Sequence, residues 1–194
     1  MKIININDPE AVRSAAKVLQ SGGVVMHPTE TCYGLAVDIF NEKALEKLYG
    51  IKGRNEKKPV SILVSSLEMA QKYGDFSEKA LELAEKYWPG PLSIVVLRSE
   101  NLPEFVNPGE NFVSIRFSNF EFCTKLVLVL GRPVTTTSAN KTGEPQLYNV
   151  DVNGFEGVEL TIDGGELLKN KPSTIVKVNG DSVEVLRQGD LVLK

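Results

Sequence analysis

Short apolar runs of strand character and amphipathic helical stretches interleave along this chain without strict alternation, and that mixture restricts the architecture more than any single motif does. The strand-like runs are KIINI near the start, then VVMH, CYGLAVDIF, VSILV, LSIVVL, FVSIRF, VTTT, VELTID, STIVKV and SVEVL. Between them, Ala11, Ala15, Val18 and Leu19 recur at helical spacing after Asp8-Pro9, which predicts a helix with Asp8 as N-cap and Gly22-Gly23 as its stop. Asn41 is expected to cap a second helix with Ala44, Leu45 and Leu48 on its apolar face and Gly50 at its end. Ser66 and Ser77 are expected to cap two more, the latter carrying Ala80, Leu81 and Ala84, and another helix is expected over Glu121 to Leu130. WPGP, from Trp88 to Pro91, breaks a helix before LSIVVL, and Asn179-Gly180 between the last two runs is a hairpin signal. Hairpins and crossovers together predict an α/β fold, a twisted mixed sheet with packed helices, as a single domain over residues 1–194.

The chain's 194 residues, 42% hydrophobic and 24% charged, suit one globular core and exclude disordered, collagen-like and coiled-coil classes. Apolar runs such as Leu126 to Leu130 are too short to span a bilayer, and MKIININDPE lacks the apolar stretch of a signal peptide. Cys32 and Cys123 cannot build a disulfide framework, so a reducing, cytoplasmic setting is the expectation. A net charge of -3 argues against a surface that attracts nucleic acid as a whole. One histidine and two distant cysteines point to no His/Cys metal site. Walker, dinucleotide-binding and G-x-S-x-G signatures are missing. His27 reads as an ordinary residue at a strand end.

Polar residues gather in four places beside apolar strands, where side chains and free backbone groups meet. Thr29, Glu30 and Thr31 in PTETCYG either hold a small polar ligand or bond their own turn. In IKGRNEKKP, Lys52, Arg54, Lys57 and Lys58 either bind phosphate or form a solvated basic loop. Ser138 and Asn140 in TTTSANKTG offer a hydroxyl and an amide for recognition, or cap a strand end. Arg116 within VSIRF needs an anion, either a ligand or a surface carboxylate on an edge strand, and Ser173 and Arg187 stand near the end of the chain. The Pro/Gly/Asn-rich loop Asn101 to Asn111 is either mobile or a static surface excursion.

GGVVMHPTETCYGLAVD, IKGRNEKKP, WPGPLSIVV, VSIRF, TSANKTG and PSTIVKV followed by VLRQGDL resemble, in order and spacing, the YrdC/Sua5 family of threonylcarbamoyl-AMP synthases. The resemblance runs from about Gly22 to Leu191, and its most specific part is K-x-R followed by S-x-N. It implies a mixed sheet around a concave, electropositive cleft. It also implies synthesis of threonylcarbamoyl-AMP and pyrophosphate from L-threonine, bicarbonate and ATP, with Mg²⁺ arriving on the triphosphate. Partner proteins then transfer the product to make N6-threonylcarbamoyladenosine in tRNA.

By that resemblance Lys52 and Arg54 match the K-x-R pair and Ser138 and Asn140 the S-x-N pair, four catalytic positions. Thr31, Arg116 and Ser173 match the threonine site, while Arg54, Lys58, Asn140 and Arg187 match positions near the nucleotide. Thr142 stands where many members have Ser, and Gln188 replaces a frequent Pro. The extra C-terminal domain of longer Sua5 proteins is not expected. One alternative is a double-stranded RNA or tRNA-binding module without turnover, and weak tRNA binding is also compatible with the enzyme. Others are a carbamoyl-transfer domain like that of hydrogenase-maturation proteins, and a small interaction domain.

Overall fold

The computed structural model describes residues 2–53, 58–150 and 155–194. In chain order the strands are β1 (Lys2–Asn5), β2 (Val25–Pro28), β3 (Tyr33–Ala36), β4 (Ser61–Leu63), β5 (Gly74–Asp75), β6 (Leu92–Arg98), β7 (Phe112–Arg116), β8 (Val134–Ser138), β9 (Leu160–Asp163), β10 (Thr174–Asn179) and β11 (Ser182–Arg187). The helices are α1 (Ala11–Gln20), α2 (Glu42–Ile51), α3 (Leu67–Tyr73), α4 (Glu78–Tyr87) and α5 (Glu121–Leu130). The strands form one mixed sheet in the order β1-β9-β2-β3-β8-β4-β7-β6-β10-β11, with β5 paired to β6. Parallel pairs (β1 with β9, β9 with β2, β4 with β7, β6 with β10) are interspersed with antiparallel ones, as the irregular sequence pattern predicts.

Two apolar cores lie on opposite faces of this sheet, because successive strand side chains point to opposite sides. Val25 joins the core made with α1 and α5, which includes Leu19, Leu126 and Val127. Its neighbours Val24 and Met26 join the larger core with Leu45 and Leu48 of α2 and Leu83 and Ala84 of α4. In the stretch β4-β7-β6-β10 the larger core takes Ile62, Ile115, Ile94 and Val176. The opposite face of the same strands carries Ser61, Ser114, Arg116, Ser93 and Ile175, and only Leu63 there reaches the α1/α5 core. A polar, open sheet face results, and the candidate site lies on it.

Capping chemistry fixes most helix starts. The side chains of Asn41, Ser66 and Ser77 accept from the backbone N–H of Ala44, Met69 and Ala80, as expected of N-caps. Two expectations need correction. Asp8 does not cap α1: its carboxylate accepts from Glu10 N–H, closing a turn before the helix begins at Ala11. Gly50 does not end α2, which runs through Ile51 to a C-cap at Lys52, with the turn completed by Gly53 at φ +55°. The hairpin between β10 and β11 forms, but its two loop residues are Gly180, at φ +59°, and Asp181.

The loop after β6 is tied down by hydrogen bonds. Arg98 donates to the carbonyls of Leu102, Pro103, Val106, Asn107 and Glu110. Asn107, in the left-handed region at φ 55°, bonds both the N–H and the carbonyl of Val60. This clamps the segment entering β4. Among the described residues no helix is long and apolar enough to cross a membrane.

Candidate active site

The turn between β2 and β3 is built by its own threonines. Thr29 Oγ1 donates to the Cys32 carbonyl at 2.7 Å and accepts from the N–H groups of Thr31 and Cys32. The self-bonded turn weighed from sequence is therefore present in Thr29, and it turns the Thr31 hydroxyl toward β7. There Arg116 Nη2 donates to Thr31 Oγ1 at 3.2 Å.

Arg116 is not on an edge strand and its partner is not at the surface. It ends β7, between β4 and β6, and pairs at 2.8 Å with Glu30, a carboxylate that is itself largely buried. Glu30 also accepts a hydrogen bond from Ser118 Oγ, and its carbonyl accepts from Asn170. Ser118 Oγ accepts in turn from Phe120 N–H at the start of α5.

Opposite this corner, Ser173 is buried just before β10, 3.1 Å from Ser93 Oγ of β6. Arg187, an exposed residue at the end of edge strand β11, turns its guanidinium inward and donates to the Ser173 carbonyl and hydroxyl at 2.9 and 3.0 Å. Desolvation of that guanidinium, with Arg116 nearby, lowers its pKa from the ordinary arginine value. Gln188, at the departure from the family's Pro, anchors the following turn through its amide to the Gly189 and Leu191 carbonyls.

Lys52 and the S-x-N segment form a second unit. The buried Lys52 ammonium donates to the Ser138 carbonyl at 2.6 Å, the Asn140 carbonyl at 3.0 Å and Asn140 Oδ1 at 3.1 Å. Ser138 Oγ donates to Asn140 Oδ1 at 2.6 Å. The Lys52 carbonyl accepts from both the N–H and the hydroxyl of Thr142, a bond that a Ser hydroxyl in that place would equally make. Lys52 of K-x-R and the S-x-N segment, far apart in sequence, are thus one hydrogen-bonded assembly.

A cavity of about 220 Å³ lies between these groups. Thr31, Arg116, Ser138, Ser173 and Arg187 line it, together with hydroxyls from Ser61, Ser93 and Thr136. Lys52 and Asn140 stand behind Ser138 rather than in the wall, and Lys58 is exposed at the head of the segment leading to Pro59. Arg54 lies outside the described residues, as does Lys57. Sequence reasoning passed over Ser61, Ser93 and Thr136, and it placed Glu30 in the PTETCYG turn without its pairing to Arg116. A signal for the serines was present: Ser61 in VSILV and Ser93 in LSIVVL each interrupt an apolar strand on its outward phase.

His27 and Cys123 lie beneath this wall. Burial lowers the His27 pKa to about 4, so the imidazole is neutral near pH 7, with Nδ1 3.0 Å from the Pro28 carbonyl. Burial pushes the Cys123 thiol up to about 12, which removes thiolate chemistry there. Cys32, whose thiol is likewise raised by burial, borders the cavity.

With the geometry established, similarity to known proteins adds chemical content. The Sua5/YciO/YrdC family model, described as telomere recombination, matches residues 17–189. A Methanocaldococcus jannaschii protein is 32% identical over 97% of this chain and 92% of its own length. The threonylcarbamoyl-AMP synthase of Pyrococcus abyssi is 33% identical over 94% of this chain, which spans only 55% of that longer protein. The crystal structure of P. abyssi Sua5 complexed with L-threonine superposes with a TM-score of 0.92 at 32% identity, covering 98% of this chain and 58% of that one.

Proposed function

Because the chain belongs to the Sua5/YciO/YrdC family, we propose that it is a threonylcarbamoyl-AMP synthase, making threonylcarbamoyl-AMP and pyrophosphate from L-threonine, bicarbonate and ATP. The observation that carries this reading is the convergence of Arg116, Thr31 and Ser173, from three separate segments, on one hydroxyl-lined cavity.

In this reading Arg116 receives the threonine carboxylate, and Thr31 and Ser173 orient the amino acid. The threonine amine takes up the carbon of bicarbonate, releasing water and forming a carbamate. A carbamate oxygen then attacks the α-phosphorus of ATP, and the bond to the β-phosphate bridge breaks to release pyrophosphate. Both reactants are anionic, so fixed cations must offset their repulsion. Arg187 supplies one at the cavity wall. Lys52 adds its charge from behind Ser138 and holds the S-x-N segment in place. Arg54 and Lys58 are assigned to the phosphates by resemblance. Positioning of this kind can account for about 7–11 kcal/mol of a barrier at best.

Mg²⁺ enters as the metal complex of ATP. Among the described residues the cavity wall offers hydroxyls and guanidinium groups and no carboxylate, a poor donor set for this ion, whereas triphosphate oxygens suit it. The product would pass in the cytoplasm to partner proteins that complete the tRNA modification. A non-catalytic RNA binder is not favoured, since the cations gathered here face inward or are bonded internally rather than forming an outward stripe.

Mass spectrometry of a reaction containing ATP, threonine and bicarbonate, with each omitted in turn, tests the proposal. Threonylcarbamoyl-AMP is expected only when all three are present. Pyrophosphate release that is indifferent to threonine overturns it.

A further inference from the structure

A serine inside β6 joins the two sides of the cavity. Ser93 is 2% exposed, lines the cavity and lies on the same sheet face as its cross-strand neighbour Arg116 of β7. Residues directly opposite in an antiparallel pair hold their Cβ atoms about 4.5–5.5 Å apart, so the Ser93 hydroxyl borders the Arg116 corner. On its other side, β10 runs parallel to β6, and Ser93 Oγ lies 3.1 Å from Ser173 Oγ. Ser173 Oγ accepts from Arg187 Nη2 at 3.0 Å. A guanidinium only donates, and a hydroxyl that accepts from a cation becomes a stronger donor itself. The Ser173 proton is therefore directed to Ser93 Oγ, and the Ser93 proton is left for another acceptor. Among the described residues, Ser93 Oγ has no hydrogen bond besides the one with Ser173. The chain from Arg187 through Ser173 to Ser93 thus runs one way and ends in a donor beside Arg116. It is not what keeps β10 against β6, because backbone pairing already does so: Thr174 N–H donates to the Pro91 carbonyl, and Thr174 stands in register with Leu92.

From this directed chain we infer that Ser93 is a further amino-acid-binding residue, whose hydroxyl donates to the carboxylate that Arg116 receives. The inference rests on the threonine-binding reading above and deepens it. A carboxylate offers about four lone-pair sites on its two oxygens. Arg116 already spends Nη2 on Thr31 and Glu30, so a second donor from the neighbouring strand supplies what the guanidinium does not. A hydroxyl taken out of water is costly unless it is bonded, and a carboxylate seated here offsets that cost. The donor is neutral, so it serves the carboxylate equally whether the nitrogen next to it is an ammonium or has become a carbamate. The contact therefore persists through the first step and holds the amino acid while its nitrogen reacts.

The experiment compares Ser93→Thr with Ser93→Val, two side chains of nearly the same shape of which only the first keeps the hydroxyl. L-Threonine binding is measured by calorimetry, and the KM values for threonine and for ATP are read from pyrophosphate release. Ser93→Thr is expected to bind threonine nearly as the unaltered protein does. Ser93→Val should bind it about tenfold more weakly, the scale of one lost hydrogen bond to a charged group. It should also raise the KM for threonine and leave that for ATP in place. Equal weakening in both variants marks packing rather than hydrogen bonding and overturns the inference. A parallel rise in both KM values shows the wall displaced as a whole and overturns it too. Ser93→Ala replaces Ser93→Val if the latter does not fold, and failure of both to fold makes Ser93 structural, which equally overturns the inference. Absence of threonine binding in the unaltered protein overturns the threonine reading and this role together, whereas threonine binding that Ser93→Val leaves intact removes this role alone.

Discussion

At Arg116 a charge is held where water scarcely reaches it, so Glu30 and Thr31 determine which way the guanidinium faces. Replacing Arg116 with Gln removes the charged donor to a bound carboxylate, and threonine binding should weaken between tenfold and a hundredfold, since hydrogen bonds to charged groups contribute about 1.5–3 kcal/mol. Isothermal calorimetry reads this directly, and an unchanged dissociation constant would place the carboxylate elsewhere. Gly189 is a different kind of position. A Cβ there would collide with the Pro172 carbonyl oxygen and press on Thr174 N, both backbone atoms unable to yield cheaply. Gly189→Ala should therefore push the 187–191 segment off Ser173 and lower activity while most of the core survives, seen as a fall in kcat/KM with a modest loss of Tm. The polar residue types of the site were legible from sequence because Arg in an apolar strand and hydroxyls beside strand ends are costly without purpose. Glu30 was not, since nothing local distinguishes a carboxylate that pairs with a residue 86 positions away from one on the surface.

Helices α2, α3 and α4 were legible at their starts because their caps satisfy orphan N–H groups through local side chains. Asp8 misled because its carboxylate serves a turn one step earlier, a choice that local spacing does not distinguish. Ser66→Ala should accordingly cost about 1 kcal/mol, and Asp8→Ala less, measurable by urea denaturation. The hydroxyl stripe across β8, β4 and β7 follows from register: Thr136 stands opposite Ser61, and Ser61 opposite Ser114, with a 2.8 Å bond between the two serines. Strand pairing order was the part hidden from sequence, because β4 lies between β8 and β7 through crossovers no local pattern encodes. The hydrogen bonds of the loop after β6 contribute to stability. Asn107→Leu would strip both backbone partners from Val60 and leave buried polar groups unsatisfied, a cost of about 2 kcal/mol or more. Faster hydrogen exchange at Val60 and its neighbours should accompany it.

Over the whole molecule, acidity should act through His27. The folded pKa is about 4 against an ordinary value of 6.5, so the folded state binds fewer protons than the unfolded chain in that window. Above pH 6.5 the residue contributes no penalty. As pH falls below 6.5 stability declines, by about 2 kcal/mol at pH 5 and about 3 kcal/mol near pH 4, where the effect levels off. His27→Gln should flatten this slope in urea titrations at pH 7 and pH 5, and a slope unaltered by the substitution would assign acid sensitivity to other groups. The parallel pairing of β10 with β6 has a consequence of a different kind. It brings Ser173 against Ser93, and the hairpin that follows delivers Arg187 to the same wall. On the ribosome, a growing chain that has already released β1 to β9 still has a pocket open on one side. Competence for chemistry would then arrive late and all at once during translation, so fragments stopped before Arg187 should fold in part and turn over nothing.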